Sequence, residues 1–211
     1  KPRVRMKKGQ IIILNGASSA GKSSLAKSMQ NQLKEPYLLM GIDMFWLTMP
    51  PHELDLTTVS PEFYTWQEEI IDDRPFLKIN PGPVLDRMMI ARYQAIAAYL
   101  KAGFNVIADD VTWSKLWLTE ALKTLKPYKT YFVGVYCDDR VLSHREIMRG
   151  DRFPGWGRGS QKWVHEHLTY DITIDSSLHD SNTLALKIVA AVEGEFEPHA
   201  AYDMRKIFAI G

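Results

Sequence analysis

Ile11 to Leu14 form an unbroken apolar run, the pattern of a strand buried on both faces of a sheet. The next apolar positions, Leu25, Ala26, Met29 and Leu33, fall at helical spacing, so the run predicts a strand followed by a helix. The same alternation continues down the chain. Strand-like runs at YLLMGID (37–43), FNVIADD (104–110), YFVGVYC (131–137) and DITID (171–175) are separated by helical patterns over about 83–102, 115–125, 139–148 and 161–168, and a last helix covers about 183–192. In the 83–102 segment Met89, Tyr93, Ile96, Ala97 and Leu100 share one stripe, and Gly103 stands where a helix C-cap is expected. Repeated strand and helix predict an α/β fold with a parallel sheet of five strands.

Two stretches break the alternation, and such places carry function more often than the regular frame. One is an insert at about 45–82, with Pro50, Pro51, Pro61, Pro75 and Pro81 and the aromatics Phe45, Trp46, Phe63, Tyr64, Trp66 and Phe76. The other is RGDRFPGWGRGS (149–160), too irregular and too rich in arginine for core. The tail after Gly194 is weakly patterned, and no element is predicted there.

Composition narrows the class. A chain of 211 residues suits a single domain, 1–211, with one substantial core. Lys and Arg total 26 against 25 for Asp and Glu, so no net field favours nucleic acid or an anionic membrane. Five of the first nine residues are basic (Lys1, Arg3, Arg5, Lys7, Lys8), without the apolar stretch of a signal peptide, and predict a solvated leader. No segment approaches the roughly 20 apolar residues of a membrane span. The single Cys137 excludes an internal disulfide and a cysteine-based zinc site, and a cytoplasmic location is expected. His165 and His167 are two apart, on different faces of the helix expected there, and do not form a metal pair.

The sharpest chemical signal follows the first strand. NGASSAGKSS (15–24) holds Gly16, four residues, then Gly21, Lys22 and Ser23, the full GxxxxGK[ST] spacing of a phosphate-binding loop. Small residues let the amides of Gly16, Ala17, Ser18, Ser19, Ala20, Gly21, Lys22, Ser23 and Ser24 curl toward phosphate oxygens. Lys22 can reach the outer phosphates and Ser23 can ligate Mg²⁺, while the opening of the helix adds its positive dipole end. A nucleoside triphosphate with Mg²⁺ is therefore the expected pair of ligands.

Ligands of open parallel sheets gather beyond the carboxyl ends of the strands, where Asp43, Asp109 and Asp110 are expected. A carboxylate there can accept the proton of an attacking hydroxyl, hold Mg²⁺, or simply cap the next helix. Neighbouring strand residues face opposite ways, so one of Asp109 and Asp110 is aimed at the metal. Arg145, Arg149, Arg152 and Arg158, interleaved with glycines, read as a lid at about 149–160 that brings guanidinium groups to a transferring phosphoryl, or as a solvated basic loop. The insert aromatics are either core or the wall of a flat acceptor site.

Taken in order, IIILNGASSAGKSS, GIDMF, VIADDV, VGVYCDD, RGDR and VHEHLTYDITIDSS closely resemble the landmarks of the chloramphenicol phosphotransferase family of P-loop small-molecule kinases, over roughly residues 10 to 177. The resemblance implies a three-layer α/β/α nucleoside-kinase-like fold and transfer of the γ-phosphoryl of ATP to a hydroxyl of the antibiotic, conferring resistance. Carried onto this chain, it makes Asp43 the general base and Arg149 and Arg152 phosphate clamps. The segments Leu47 to Pro81 and GWGRGS depart from the family's pattern, which leaves the acceptor open. A kinase of another metabolite or a nucleotide sugar stands beside the first reading, as does a nucleotide-dependent regulatory module. The expected partner is a small hydroxyl compound, with no nucleic acid and no membrane.

Overall fold

The computed structural model of the chain describes residues 7–55, 57–112, 114–150 and 153–210. Its centre is a sheet of β1 (Ile11–Gly16), β2 (Tyr37–Leu39), β5 (Asn105–Asp110), β6 (Thr130–Tyr136) and β7 (Ile172–Asp175) in the order β2-β5-β1-β6-β7, every pairing parallel. β1 lies in the middle, which is why all of Ile11–Leu14 is apolar. Ile12 and Leu14 join the core formed with α1 (Lys22–Gln32) and α7 (Ser181–Glu193). Ile11 and Ile13 point the other way, toward α3 (Pro83–Lys101), α4 (Lys115–Thr124) and α8 (Ala200–Ile207). The result is the three-layer α/β/α arrangement that the alternation predicts.

β2 is shorter than the run 37–43. After Met40, whose amide donates to the Ile107 carbonyl, the chain leaves the sheet at Gly41 and turns into α2 (Ile42–Trp46). Asp43 is thus in the first turn of a helix and not at the end of a strand.

The proline-rich insert contains an antiparallel hairpin, β3 (Tyr64–Ile71) and β4 (Arg74–Pro81), closed by Asp72 and Asp73, both at positive φ. Two residues at positive φ make the tight turn whose twist suits paired strands, and Asp tolerates that backbone better than most side chains. Only Tyr64, Leu77 and Ile79 of the hairpin are buried among its apolar residues, so the period-two signal is short. Pro75 and Pro81 sit opposite Ile70 and Tyr64 near the two ends of the ladder, where a strand tolerates proline.

Two further differences concern the chain after α5 (Asp139–Arg149). A short helix α6 (Trp156–Gln161) replaces the expected loop, and turns replace the expected helix at 161–168, with His167 at positive φ. The unassigned tail folds as α8, whose opening is held by the Asp171 carboxylate. That side chain accepts from the amides of His199 (2.7 Å), Ala200 (2.9 Å) and Phe132 (2.9 Å), tying the last helix to β6. Among the described residues no helix is long and apolar enough to cross a membrane.

Candidate active site

Ala17 to Gly21 form the loop between β1 and α1, with Ser19 and Gly21 at positive φ, and Lys22, Ser23 and Ser24 open the helix. No side chain caps the start of α1 and no acid lies in its first turn, so its free amides remain open to an anion. Lys22 is only 6 % exposed, and its Nζ donates to the Ala17 carbonyl (2.7 Å) and lies 3.7 Å from Asp109 Oδ1. Burial pulls the pKa of Lys22 down, opposed by the charges of Asp109 and Asp43. Ser23 Oγ donates to Asp109 Oδ2 at 2.5 Å. Burial raises the Asp109 pKa, with Lys22 and Ser23 acting against it. Ser19 Oγ is buried without a hydrogen-bond partner, an orphaned donor in the cradle where phosphate oxygens would be bound.

The pair at the end of β5 divides as strand geometry requires. Asp109 faces the loop. Asp110 is on the opposite face at 0 % exposure, accepting from Arg92 Nη2 (2.8 Å) and from the Tyr93 hydroxyl. As a metal ligand Asp110 is therefore withdrawn: its carboxylate is committed to a buried guanidinium on the far side of the sheet.

Asp43 lines the same cleft as Lys22, Ser23 and Asp109 and is 51 % exposed at its side chain. Arg149, at the end of α5, brings Nη2 to 3.8 Å from Asp43 Oδ2. Arg145, one helical turn earlier, donates to Ser176 Oγ (3.0 Å) and to the Ser176 carbonyl (2.7 Å) and approaches Gly21. Arg152 lies outside the described residues.

Arg158 does not serve a lid. It is 8 % exposed and donates to Asp139 and to the carbonyls of Ile71, Arg74 and Pro75, locking the hairpin turn to α5. The neighbouring glycines act by close approach. A Cβ on Gly159 would sit 1.7 Å from the Leu77 carbonyl oxygen, and one on Gly157 2.0 Å from a Leu142 methyl. The α6 segment is thus a wedge packed on β4.

The insert aromatics largely turn inward. Trp46 and Tyr64 are buried, with ring centroids 5.1 Å apart, and the exposed apolar side chains near Asp43 are Met44 and Leu47. His165 is off any helix. Its Nδ1 lies 2.7 Å from the Tyr170 hydroxyl, and burial, with a smaller push from Lys22, lowers its pKa to about 4. Among the described residues no group of three or more His, Cys, Asp or Glu could hold a metal ion. The donor set present, a serine in the first turn of α1 and one carboxylate beside a phosphate cradle, is the kind that suits Mg²⁺ bound together with substrate phosphates.

The cleft measures about 570 Å³ and extends past Arg145 to Ser176, His179, Asp180 and Leu184. The sequence assigned no site role to Ser176, His179, Asp180 or Leu184. Their signal was positional: they follow DITID, and the carboxyl end of every strand of such a sheet faces the ligand side.

Sheet order, phosphate loop and facing acids define a P-loop fold of the kinase type. The sequence profile described as chloramphenicol phosphotransferase-like protein matches residues 9–193, and the chain belongs to that family; it is a phosphotransferase. Two Mycobacterium tuberculosis proteins, each bearing the name "Putative O-phosphotransferase", are 42% identical over 204 residues, covering 96% of this chain and 91% of theirs. An APS kinase of Mycobacterium tuberculosis, solved with AMPPNP and APS, superposes with a TM-score of 0.58 at 11% identity, over 89% of this chain and 99% of its own. A shikimate kinase of Acinetobacter baumannii, solved with shikimate, gives 0.57 at 11% identity, over 88% and 94%. At these identities the two structures speak for the fold alone.

Proposed function

We propose that this protein is an ATP-dependent O-phosphotransferase that moves the γ-phosphoryl group to a hydroxyl of a small molecule, with chloramphenicol or a compound like it as the acceptor and antibiotic resistance as the consequence. The loop amides and Lys22 bind the β and γ phosphates, and the base lies toward Arg145, Ser176, His179 and Leu184. Ser23 and Asp109 are the residues that would hold Mg²⁺. When bound, MgATP supplies the phosphoryl group and neutralises part of its charge. Asp43 orients the acceptor hydroxyl and takes its proton, and Arg149 balances charge on the transferring group and keeps Asp43 beside it.

The observation that carries this reading is the position of Asp43: half exposed, on the cleft shared with Lys22 and Asp109, and 3.8 Å from Arg149. A regulatory module that only binds nucleotide has no use for such an acid. The family's name and the names of the relatives support the reaction class. The test is incubation with MgATP and a panel of hydroxylated antibiotics and metabolites, chloramphenicol first, read by mass spectrometry for one added phosphate. Asp43→Ala is expected to bind MgATP as before and to lose roughly 10²- to 10⁴-fold in turnover, the range for a general base. Unchanged turnover removes Asp43 from the role.

A further inference from the structure

The helix α6 touches both halves of the site described above, and does so through two side chains one helical turn apart. Ser160, 2 % exposed, accepts the amide of Ser18 in the phosphate loop (3.0 Å) and donates to the Gly157 carbonyl (3.0 Å). Trp156 packs edge-on against Trp46, with centroids 5.9 Å apart, and Trp46 is on α2 with Asp43. α6 is itself firmly placed. Glu146, buried, accepts the amides of Gly155 and Gly157 at 2.7 Å each, Leu77 donates its amide to the Gly155 carbonyl, and Arg158 ties the helix to the hairpin turn.

We propose that Ser160 and Trp156 are positioning residues. Ser160 holds the opening of the phosphate loop, Trp156 holds the helix that carries Asp43, and α6 thereby sets the gap between phosphoryl donor and hydroxyl acceptor. The inference rests on the kinase reading above. Neither side chain lines the cleft. Each acts through another group: the Ser18 amide in one case, Trp46 in the other. Because the reacting atoms must be held within about 3–3.5 Å of each other, a small shift of either abutment is felt in the reaction.

The experiment separates the two roles. MgATP affinity is measured directly, by calorimetry without acceptor, on the wild type, Ser160→Ala and Trp156→Ala. Ser160→Ala is expected to raise the Kd about three- to tenfold, the worth of one net hydrogen bond. Trp156→Ala is expected to leave Kd within about twofold and to lower kcat by about tenfold or more for the acceptor found in the panel, while Trp156→Phe, which keeps a ring against Trp46, restores most of it. Should Ser160→Ala not fold, Ser160→Cys keeps the volume and replaces the hydroxyl with a weak acceptor, and the same rise in Kd is expected. A role confined to fold stability would lower the melting temperature of both variants and leave Kd and kcat untouched below it; that result overturns the proposal. Wild-type protein that fails to bind MgATP overturns the kinase reading instead, and this inference with it.

Discussion

The proposed donor side and the proposed acceptor side of the cleft are assembled differently. Lys22 and Ser23 come from the opening of α1, which follows β1, and Asp109 from the end of β5, the strand beside β1, and they engage one another directly. Asp43 and Arg149 come from short or terminal turns of α2 and α5, outside the sheet, and meet at 3.8 Å. Behind them stand the hairpin and α6, joined to the loop through Ser160. A donor site made of backbone amides next to buried strands is stiff and generic. The proposed acceptor site rests instead on a wedge and a hairpin outside the sheet.

Lys22→Met tests the donor half and is expected to have the largest effect. It removes the cation of the phosphate cradle and should cost roughly 10²- to 10³-fold in turnover, as loss of a preorganised electrostatic partner does, together with weaker MgATP binding in calorimetry. If Lys22→Met keeps wild-type nucleotide affinity, the loop is not the phosphate site.

Asp109 and Asp110 sharpen the contrast from one residue to the next. Arg92→Met strands the Asp110 carboxylate in the core and is expected to destabilise the fold by about 3–5 kcal/mol, measured by urea denaturation. The double change Arg92→Met with Asp110→Leu should recover most of that loss, because no unpaired charge remains. Asp109→Asn, in contrast, should spare stability and weaken nucleotide-dependent turnover.

Gly159→Ala probes the acceptor wall. A methyl 1.7 Å from the Leu77 carbonyl forces α6 off β4, at an expected cost of about 1–3 kcal/mol, and should raise both the acceptor KM and the MgATP KM, because α6 abuts both halves. A rise in only one of the two constants would deny that α6 links the halves.

The smallest effect is a pH dependence. His165 is held neutral by burial, with its pKa lowered from 6.5 to about 4. Between these values the unfolded chain binds the proton and the folded chain does not, so stability rises with pH across the window and is lost as pH falls from about 6.5 toward 4. His165→Gln should flatten the slope of the urea midpoint against pH there.

Much of this molecule was legible before any coordinates. Five apolar runs became five parallel strands, and the GxxxxGKS spacing lies on the loop between β1 and α1. The hairpin was hidden because only a few of its positions alternate in burial and because prolines near its ends mimic a loop. Arg158 was misread for a related reason. Arginine beside glycine looks like a mobile basic segment, whereas here the glycines let backbones approach and the guanidinium satisfies three hairpin carbonyls. α8 escaped notice because its capping acid, Asp171, is far from it in the chain.

Local pattern therefore determined the sheet, its buried strands and the phosphate loop, since strand periodicity and tight-turn chemistry depend on residues within a few positions of one another. Which acid faces the loop, which arginine comes to Asp43 and which is spent on the hairpin, and how α6 links the two halves were decided only in three dimensions. Those outcomes depend on carbonyls, amides and rings supplied by distant segments, and no spacing along the chain encodes where such partners come to rest.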